Sequence, residues 1–328
     1  MNVREQVSAE WGLGDYLGAI GVRLNVGRMR YRMTPGLYAR GAPGPESPVL
    51  VTANYKLSFD HVRRALAGVD AWILVLDTRG INVWCAAGKG TFGTAELVRQ
   101  IRACGLSERV THRRLILPQL GAPGIEAHEV KKQSGFAVVW GPVEAADIPG
   151  FLKAGMTASA AMRRVRFPWR DRLVVAPLEL VIHFSRMLLI GLVLAGLAGV
   201  SGWGYSGSAA WERGGEAVLL LIATYMAAGV LGPLLLPWLP TRAFSIKGAV
   251  LGLVLGVCGL AILGPPWSLP HRFAWLLLVT AGASYLLLNF TGSTTFTSPS
   301  GVRREVRLAL PVQIVAGVAG LIAWTVAR

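Results

Sequence analysis

Cysteine is scarce. The only three in 328 residues, Cys85, Cys104 and Cys258, are too few for a disulfide framework or for a four-thiolate zinc or iron–sulfur site within one chain. A reducing compartment is the expectation. Charge is scarce as well: 16% of residues are charged against 53% hydrophobic, and the mean hydropathy is +0.48. That balance excludes a purely soluble enzyme and, for most of the chain, disorder. The 40 Gly and 18 Pro follow no fixed period, so a collagen-like or low-complexity class fails. Acidic residues are outnumbered 18 to 33 by Lys and Arg.

The charge is unevenly placed. Residues 1–172 hold 24 of the basic and 14 of the acidic residues, leaving nine and four for residues 173–328. The second half reads as apolar stretches long enough to cross ~30 Å of hydrocarbon, and five spans are expected near 173–200, 217–239, 248–266, 273–290 and 308–326. Residues 1–27 carry Arg4, Glu5, Glu10, Asp15 and Arg23 and lack the apolar core of a signal peptide. Lys and Arg gather at alternate span ends: Arg163, Arg164, Arg166, Arg170 and Arg172, then Arg242 and Lys247, then Arg303, Arg304 and Arg307. The positive-inside bias places all three groups in the cytoplasm, giving a multi-pass protein of the cytoplasmic (inner) membrane with its carboxyl terminus outside. It also explains the basic excess without nucleic acid.

Small residues recur every fourth position at Gly191, Ala195 and Gly199 and at Gly248, Gly252 and Gly256, the signature of close helix packing in membranes. Glu179, His183 and Arg186 share one helix stripe at the cytoplasmic end of the first span. A transporter would use them as an ion path; the simpler reading is that they pair with each other or snorkel.

In the first half, strand and helix signals alternate: strands at 48–53, 71–77, 113–117 and 136–140, helices at 58–67 (Ser58 as N-cap), 94–104 (Thr94 as cap, Gly105 as stop) and 126–133, and a turn at 121–124. An α/β domain with a mainly parallel sheet is expected over 48–155. It follows an irregular leader at 1–47 and precedes a basic connector at 156–172 and an all-α transmembrane domain of five helices at 173–328.

The segment Asn82-Val83-Trp84-Cys85-Ala86-Ala87-Gly88-Lys89-Gly90-Thr91-Phe92-Gly93 lies beyond a strand's carboxyl end, where open α/β sheets bind ligands. Gly88, Gly90 and Gly93 match G-x-G-x-x-G in form, but the apparent strand ends ten residues earlier, at Thr78. A Walker A loop fails because Gly90 follows Lys89. A nucleophilic Cys85 has no assignable partner among the scattered His61, His112, His128, His183 and His271, and a small buried hydrophobe is an ordinary fate for a lone cysteine. The remaining reading makes Cys85 a metal ligand on a short helix at 83–87. There Ala86, Ala87, Gly88 and Gly90 let a flat macrocycle lie against the backbone, and Trp84 walls one side. One soft thiolate suits a metal whose other positions a prosthetic group fills, and a corrinoid meets that description.

NVWCAAGKGTFGT resembles the signature of the corrinoid proteins of mercury methylation, the HgcA family. PVLVTANYKLSFD, LPQLGAPGIEAHEVKKQSGFAVVWGPVEAADIPGFL, RFPWRDRLVVAPLEL and FTGSTTFTSPSGVRREVRLALPVQ extend the resemblance over most of the chain. The corrinoid domain is also similar to the large subunit of the corrinoid iron–sulfur protein. This resemblance implies an enzyme, a methyltransferase with a cobalamin-type corrinoid whose cobalt takes Cys85 as lower axial ligand, and no cluster in this chain. It implies a ferredoxin-like partner with two [4Fe–4S] clusters (HgcB), a methyl donor from the folate-linked pool, and Hg(II) as methyl acceptor. Asn82, Val83, Trp84, Ala86, Ala87, Gly88 and Lys89 shape the cap helix; Thr52, Ser58, Gly90 and Thr91 are expected at the corrin side chains, and the Gly121 to Gly124 turn at the nucleotide tail. Lys89 reads equally as a solvated helix-end charge. A corrinoid methyl carrier for another acceptor remains the alternative, and a transporter with a regulatory domain the more distant one.

Overall fold

The computed structural model describes residues 4–201, 204–263, 267–291 and 297–327. The chain divides into two compact units, Met1–Arg166 and Phe167–Arg328. The first is a mixed α/β unit, the second a set of apolar helices.

In chain order the first unit contains β1 (Gln6–Val7), α1 (Leu13–Arg23), β2 (Gly36–Arg40), β3 (Val49–Ala53), α2 (Lys56–Ala65), β4 (Ala71–Leu76), α3 (Val83–Gly88), α4 (Thr94–Ala103), α5 (Leu106–Arg109), β5 (Arg114–Leu117), a 3-10 turn (Gln119–Gly124), α6 (Ala127–Ser134), β6 (Ala137–Trp140) and α7 (Ile148–Lys153). The strands form one sheet in the order β1-β2-β4-β3-β5-β6. Every pairing is parallel except β2 with β4. β3 and β4 are buried at every residue, as strands covered on both faces must be. Leu74, Leu76 and Val51 face a core with Ala86, Leu97, Ile101 and Val130 from α3, α4 and α6. Ile73, Val75 and Leu50 face a second core with Phe59, Ile148 and Phe151 from α2 and α7.

Two strands come from residues 1–47, the segment expected to be an irregular leader. β2 lies between β1 and β4 and is buried at four of its five residues, but it follows Gly27 and Pro35 and opens on Gly36, and no long apolar run advertises it. Two caps differ from expectation. Tyr55, not Ser58, is the N-cap of α2, and Gly93, not Thr94, that of α4; the Thr94 hydroxyl instead accepts from the Glu126 backbone N–H at 2.8 Å.

Charge fastens α1 to α2. Asp15 lies 2.5 Å from Lys56 and 2.7 Å from Arg63, and Asp60 lies 2.7 Å and 2.8 Å from the same two groups. Burial raises the Asp15 carboxyl, but the hydrogen bonds from Lys56 and Arg63 outweigh it and hold its pKa at about 2. Because that value lies below the unfolded one, the stabilisation is complete above about pH 4 and is lost as pH falls through about 2. It amounts to about 1–2 kcal/mol after allowance for screening. Asp15→Asn is expected to do at pH 7 what acid does to the native chain: amides of Leu13–Arg23 exchange faster with deuterium while those of β4 keep their protection.

The second unit contains α8 (Trp169–Ala198), α9 (Gly207–Leu235), α10 (Phe244–Leu263), α11 (Leu269–Phe290) and α12 (Pro299–Val326). All five are long and apolar enough to cross a membrane. All five begin before the expected spans, because hydropathy marks the apolar stretch of a helix and not its polar first turns, whereas α8 and α9 end short of the expected 200 and 239 and α11 and α12 end at the expected 290 and 326. Residues 264–266 of the expected third span, and Arg328, lie outside the described residues. A Cβ on Gly248 would meet the Ala283 carbonyl oxygen at 2.5 Å, and one on Gly252 the Thr280 Cα at 2.8 Å, so the first two residues of that small-residue row are the seam between α10 and α11. Glu179, His183 and Arg186 meet one another: Glu179 Oε2 is 3.6 Å from His183 Nε2, and Arg186 Nη1 is 3.1 Å from His183 Nδ1.

Candidate functional site

The four parallel strands β4-β3-β5-β6 change direction of succession at β3. The chain steps from β3 to β4 on one side and later reaches β5 on the other. Such a switch point opens a crevice at the carboxyl ends of its strands. α3, which follows β4, packs there against β3 and against the 3-10 turn that follows β5.

The approach to α3 is held by a residue that motif reasoning passed over. Asn54, 2% exposed, stands just beyond the end of β3. Its Oδ1 accepts from the backbone N–H groups of Thr78 (3.1 Å) and Gly80 (2.9 Å), and its Nδ2 donates to Asp77 Oδ1 (3.1 Å). The Thr78 hydroxyl lies 2.6 Å from the Ile81 carbonyl, which fixes the loop up to Asn82. The available signal was an amide residue directly after a buried strand, a position where a side chain can hold the neighbouring loop's backbone. Asn54→Ala leaves two buried donors without a partner, at a cost of about 2–4 kcal/mol, and is expected to show first as lost deuterium protection at Thr78 and Gly80.

Asn82 then caps α3: its Oδ1 accepts from the Cys85 backbone N–H at 2.9 Å. With only six residues, α3 cannot hold itself together by propensity. Its far end closes in a Schellman turn, in which Gly90 N–H donates to the Ala87 carbonyl and Thr91 N–H to the Ala86 carbonyl. Gly90 supplies the φ of +77° that this turn needs.

The helix has two faces. Val83, Ala86 and Ala87 point into the core, so the two alanines are small because of protein packing, contrary to the expectation that they border a macrocycle. Trp84 and Cys85 are half-buried, and Gly88 and Lys89 are exposed. Burial pushes the Cys85 thiol pKa up, against the opposing pull of Lys89, the Asn82 hydrogen bond and Arg28. Lys89, at the end of the helix, thus acts on Cys85 electrostatically even as a solvated charge.

The glycines separate by cause. A Cβ on Gly93 would sit 2.8 Å from the Gly90 carbonyl oxygen, one on Gly121 2.6 Å from the Phe92 ring, and one on Gly124 3.1 Å from Ala87 Cα. Gly121 and Gly124 therefore let the 3-10 turn press against Phe92 and α3, and packing accounts for both. Gly88 has no such cause. Nothing lies within 4 Å of a Cβ built there, and its φ is ordinary.

Of the other expected contacts, Thr52 is buried within β3 at 1% exposure, and Ser58 sits in the first turn of α2, which packs on the opposite sheet face from α3. Among the described residues no hydrogen bond links either to the Cys85 helix. Thr91 serves the Schellman turn. No group of three or more His, Cys, Asp or Glu able to hold a metal ion occurs among the described residues.

Residues 27–152 match the family described as CO dehydrogenase/acetyl-CoA synthase delta subunit, CdhD. Among curated proteins, the chain is similar to the acetyl-CoA decarbonylase/synthase complex subunit gamma of Archaeoglobus fulgidus, 33% identical over 128 residues that cover 38% of this chain and 27% of the relative. The Methanopyrus kandleri subunit gamma is 36% identical over 122 residues, 36% of this chain and 26% of the relative. The subunit from Methanothermobacter thermautotrophicus is 33% identical over 120 residues, 36% and 26% respectively. The chain spans about a quarter of the length of these relatives. The α/β unit around Cys85 is thus similar to a domain of the acetyl-CoA synthase subunits, and in this chain it precedes five apolar helices.

Proposed function

We propose that the protein is a membrane-anchored corrinoid methyltransferase that delivers a methyl group to Hg(II), with Cys85 as the lower ligand of the corrinoid's cobalt. One observation carries the reading: Cys85 and Gly88 share the outward face of α3 at the switch point, and Gly88 is a glycine for which the fold gives no reason. A ligand that approaches the backbone closely supplies the reason.

When bound, the corrinoid supplies the cobalt on which a methyl group can be carried. The protein's part is positional and electrostatic. Asn82 fixes the first turn and so aims Cys85, while Lys89 and Arg28 favour the thiolate that ligation requires. Trp84 walls the site. Hg(II), as substrate, is a soft electrophile, and Cys85 would hold the corrinoid's cobalt through a soft thiolate donor. Electrons come from a ferredoxin-like partner with two [4Fe–4S] clusters, the HgcB of the resemblance, and methyl groups from the folate-linked pool. Anaerobic membranes containing the chain and that partner, supplied with a methyl-folate donor system and a low-potential reductant, are expected to form methylmercury from Hg(II). Omission of the partner should stop turnover, and absence of methylmercury with both present refutes the mercury reading.

The same reading places residues 1–172 in the cytoplasm, where those donors are, and the carboxyl terminus outside. A topology reporter fused after Arg172 should be active only in the cytoplasm and one fused after Arg328 only outside. Activity of both on one side would make the span count even and remove α8, with its Glu179, His183 and Arg186, as a span.

A further inference from the structure

The helix α1 is turned inside out. Toward the protein it presents small or charged residues: Gly18 against the Tyr31 ring, buried Ala19 and Val22, and Asp15 in its ion pairs with Lys56 and Arg63. Outward it presents Leu13, Tyr16, Leu17, Ile20 and Leu24, spaced as one helical stripe; Leu13 is 76% exposed, Leu17 59% and Ile20 52%. Val26 and Met29, also exposed, prolong the stripe past the helix end. Large apolar side chains in a contiguous row on a surface mark something that covers them. The ion pairs with α2 hold the row in place beforehand, so little order has to be gained on contact.

Two features identify the cover. Arg23 and Arg30 border the stripe at its carboxyl end, and neither makes an ion pair or side-chain hydrogen bond among the described residues. Residues 154–166 pack on the unit that bears α1, with Met156 and Met162 against its second core and Arg166 paired with Glu144 and Asp147, and the chain passes directly from there into α8, the first of five helices suited to a bilayer. The short connection keeps an apolar stripe with a cationic border at high effective concentration near a lipid surface.

We infer that α1 is an interfacial helix: Leu13, Leu17, Ile20 and Leu24 enter the headgroup boundary of the membrane, and Arg23 and Arg30 meet anionic phospholipid headgroups. This is the pattern of helices that lie in the plane of a bilayer. It rests on α8–α12 being membrane spans and is independent of the corrinoid.

The test uses the full chain in nanodiscs of mixed phosphatidylcholine and phosphatidylglycerol, with photoreactive p-benzoyl-phenylalanine incorporated at Leu17 or Ile20. Leu219, exposed on α9, serves as a span position, and Ala95, exposed on α4, as a solvent position. Lipid adducts are expected at Leu17 and Ile20 as at Leu219, with none at Ala95. Arg23→Gln combined with Arg30→Gln should lower the yield at Leu17 and leave that at Leu219 unchanged. Lipid adducts at Leu219 but not on α1 overturn the inference and leave the spans standing. Adducts from α1 to a second copy of the chain or to another protein, in place of lipid, also overturn it. Failure at Leu219 as well removes the membrane reading on which the inference rests.

Discussion

Cys85→Ala is expected to abolish methylmercury formation and to erase the cobalt–thiolate absorption of the reconstituted protein, while Cys104→Ala and Cys258→Ala retain both. The three thiols differ in place more than in chemistry. Cys85 is half-buried on the outward face of α3, whereas Cys104 is buried in the core beside α4 and Cys258 is exposed on α10. Truncation of Cys85 removes no core atoms, so the variant should fold and keep the deuterium protection of Thr78 and Gly80. Cys104→Ala opens a small core void, expected to cost about 1 kcal/mol without touching the site. Cys85→Ser separates ligation from shape: it keeps the volume but replaces a soft sulfur by a hard oxygen, and should fail as Cys85→Ala does. A full absorption band in either Cys85 variant would remove Cys85 as ligand.

Much of this organisation is legible in the sequence, and the reasons for what is not are physical. β3 and β4 were readable because strands buried on both faces must be continuously apolar, and VLVTA and AWILVL are close to that. The short helix of Cys85 was expected at 83–87, close to the observed Val83–Gly88, but Asn82 was not read as its N-cap. The helix's orientation was not readable, because six residues make less than two turns and carry no periodicity to say which side meets the core. Ala86 and Ala87 therefore looked like a surface for a ligand, when they are small so that Phe92 and the Gly121 to Gly124 turn can close around them. β2 escaped because it joins the sheet antiparallel to β4, with the two-residue β1 on its other side, and its five residues make no long apolar run. Asn54 escaped because its partners lie 23 to 26 residues away, on a neighbouring strand's loop that only the parallel pairing of β3 with β4 brings near.

Gly88→Phe and Ala86→Leu should fail in opposite ways, and the contrast tests the geometry of the site directly. Gly88 has open space where a side chain would go and a backbone conformation any residue can adopt. Phenylalanine there should cost the fold only the loss or gain of helix propensity, about 0.5 kcal/mol. It would, however, stand in the space beside Cys85 that a flat ligand must occupy, so corrinoid binding should fall by at least about a hundredfold, the effect of an unrelieved clash of about 3 kcal/mol. Ala86 is fully buried beneath the helix. Leucine there forces three extra carbons into a packed core and should destabilise the unit by about 1–3 kcal/mol or more, loosening α3 before it reaches any ligand. The measurement is corrinoid retention set against deuterium protection of β4 in the same full-length preparations. Gly88→Phe should lose the first and keep the second, and Ala86→Leu should lose protection in step with retention. If Gly88→Phe binds corrinoid as tightly as the native chain, the outward face of α3 is not where the macrocycle lies, and the glycine that the fold leaves unexplained must be explained some other way.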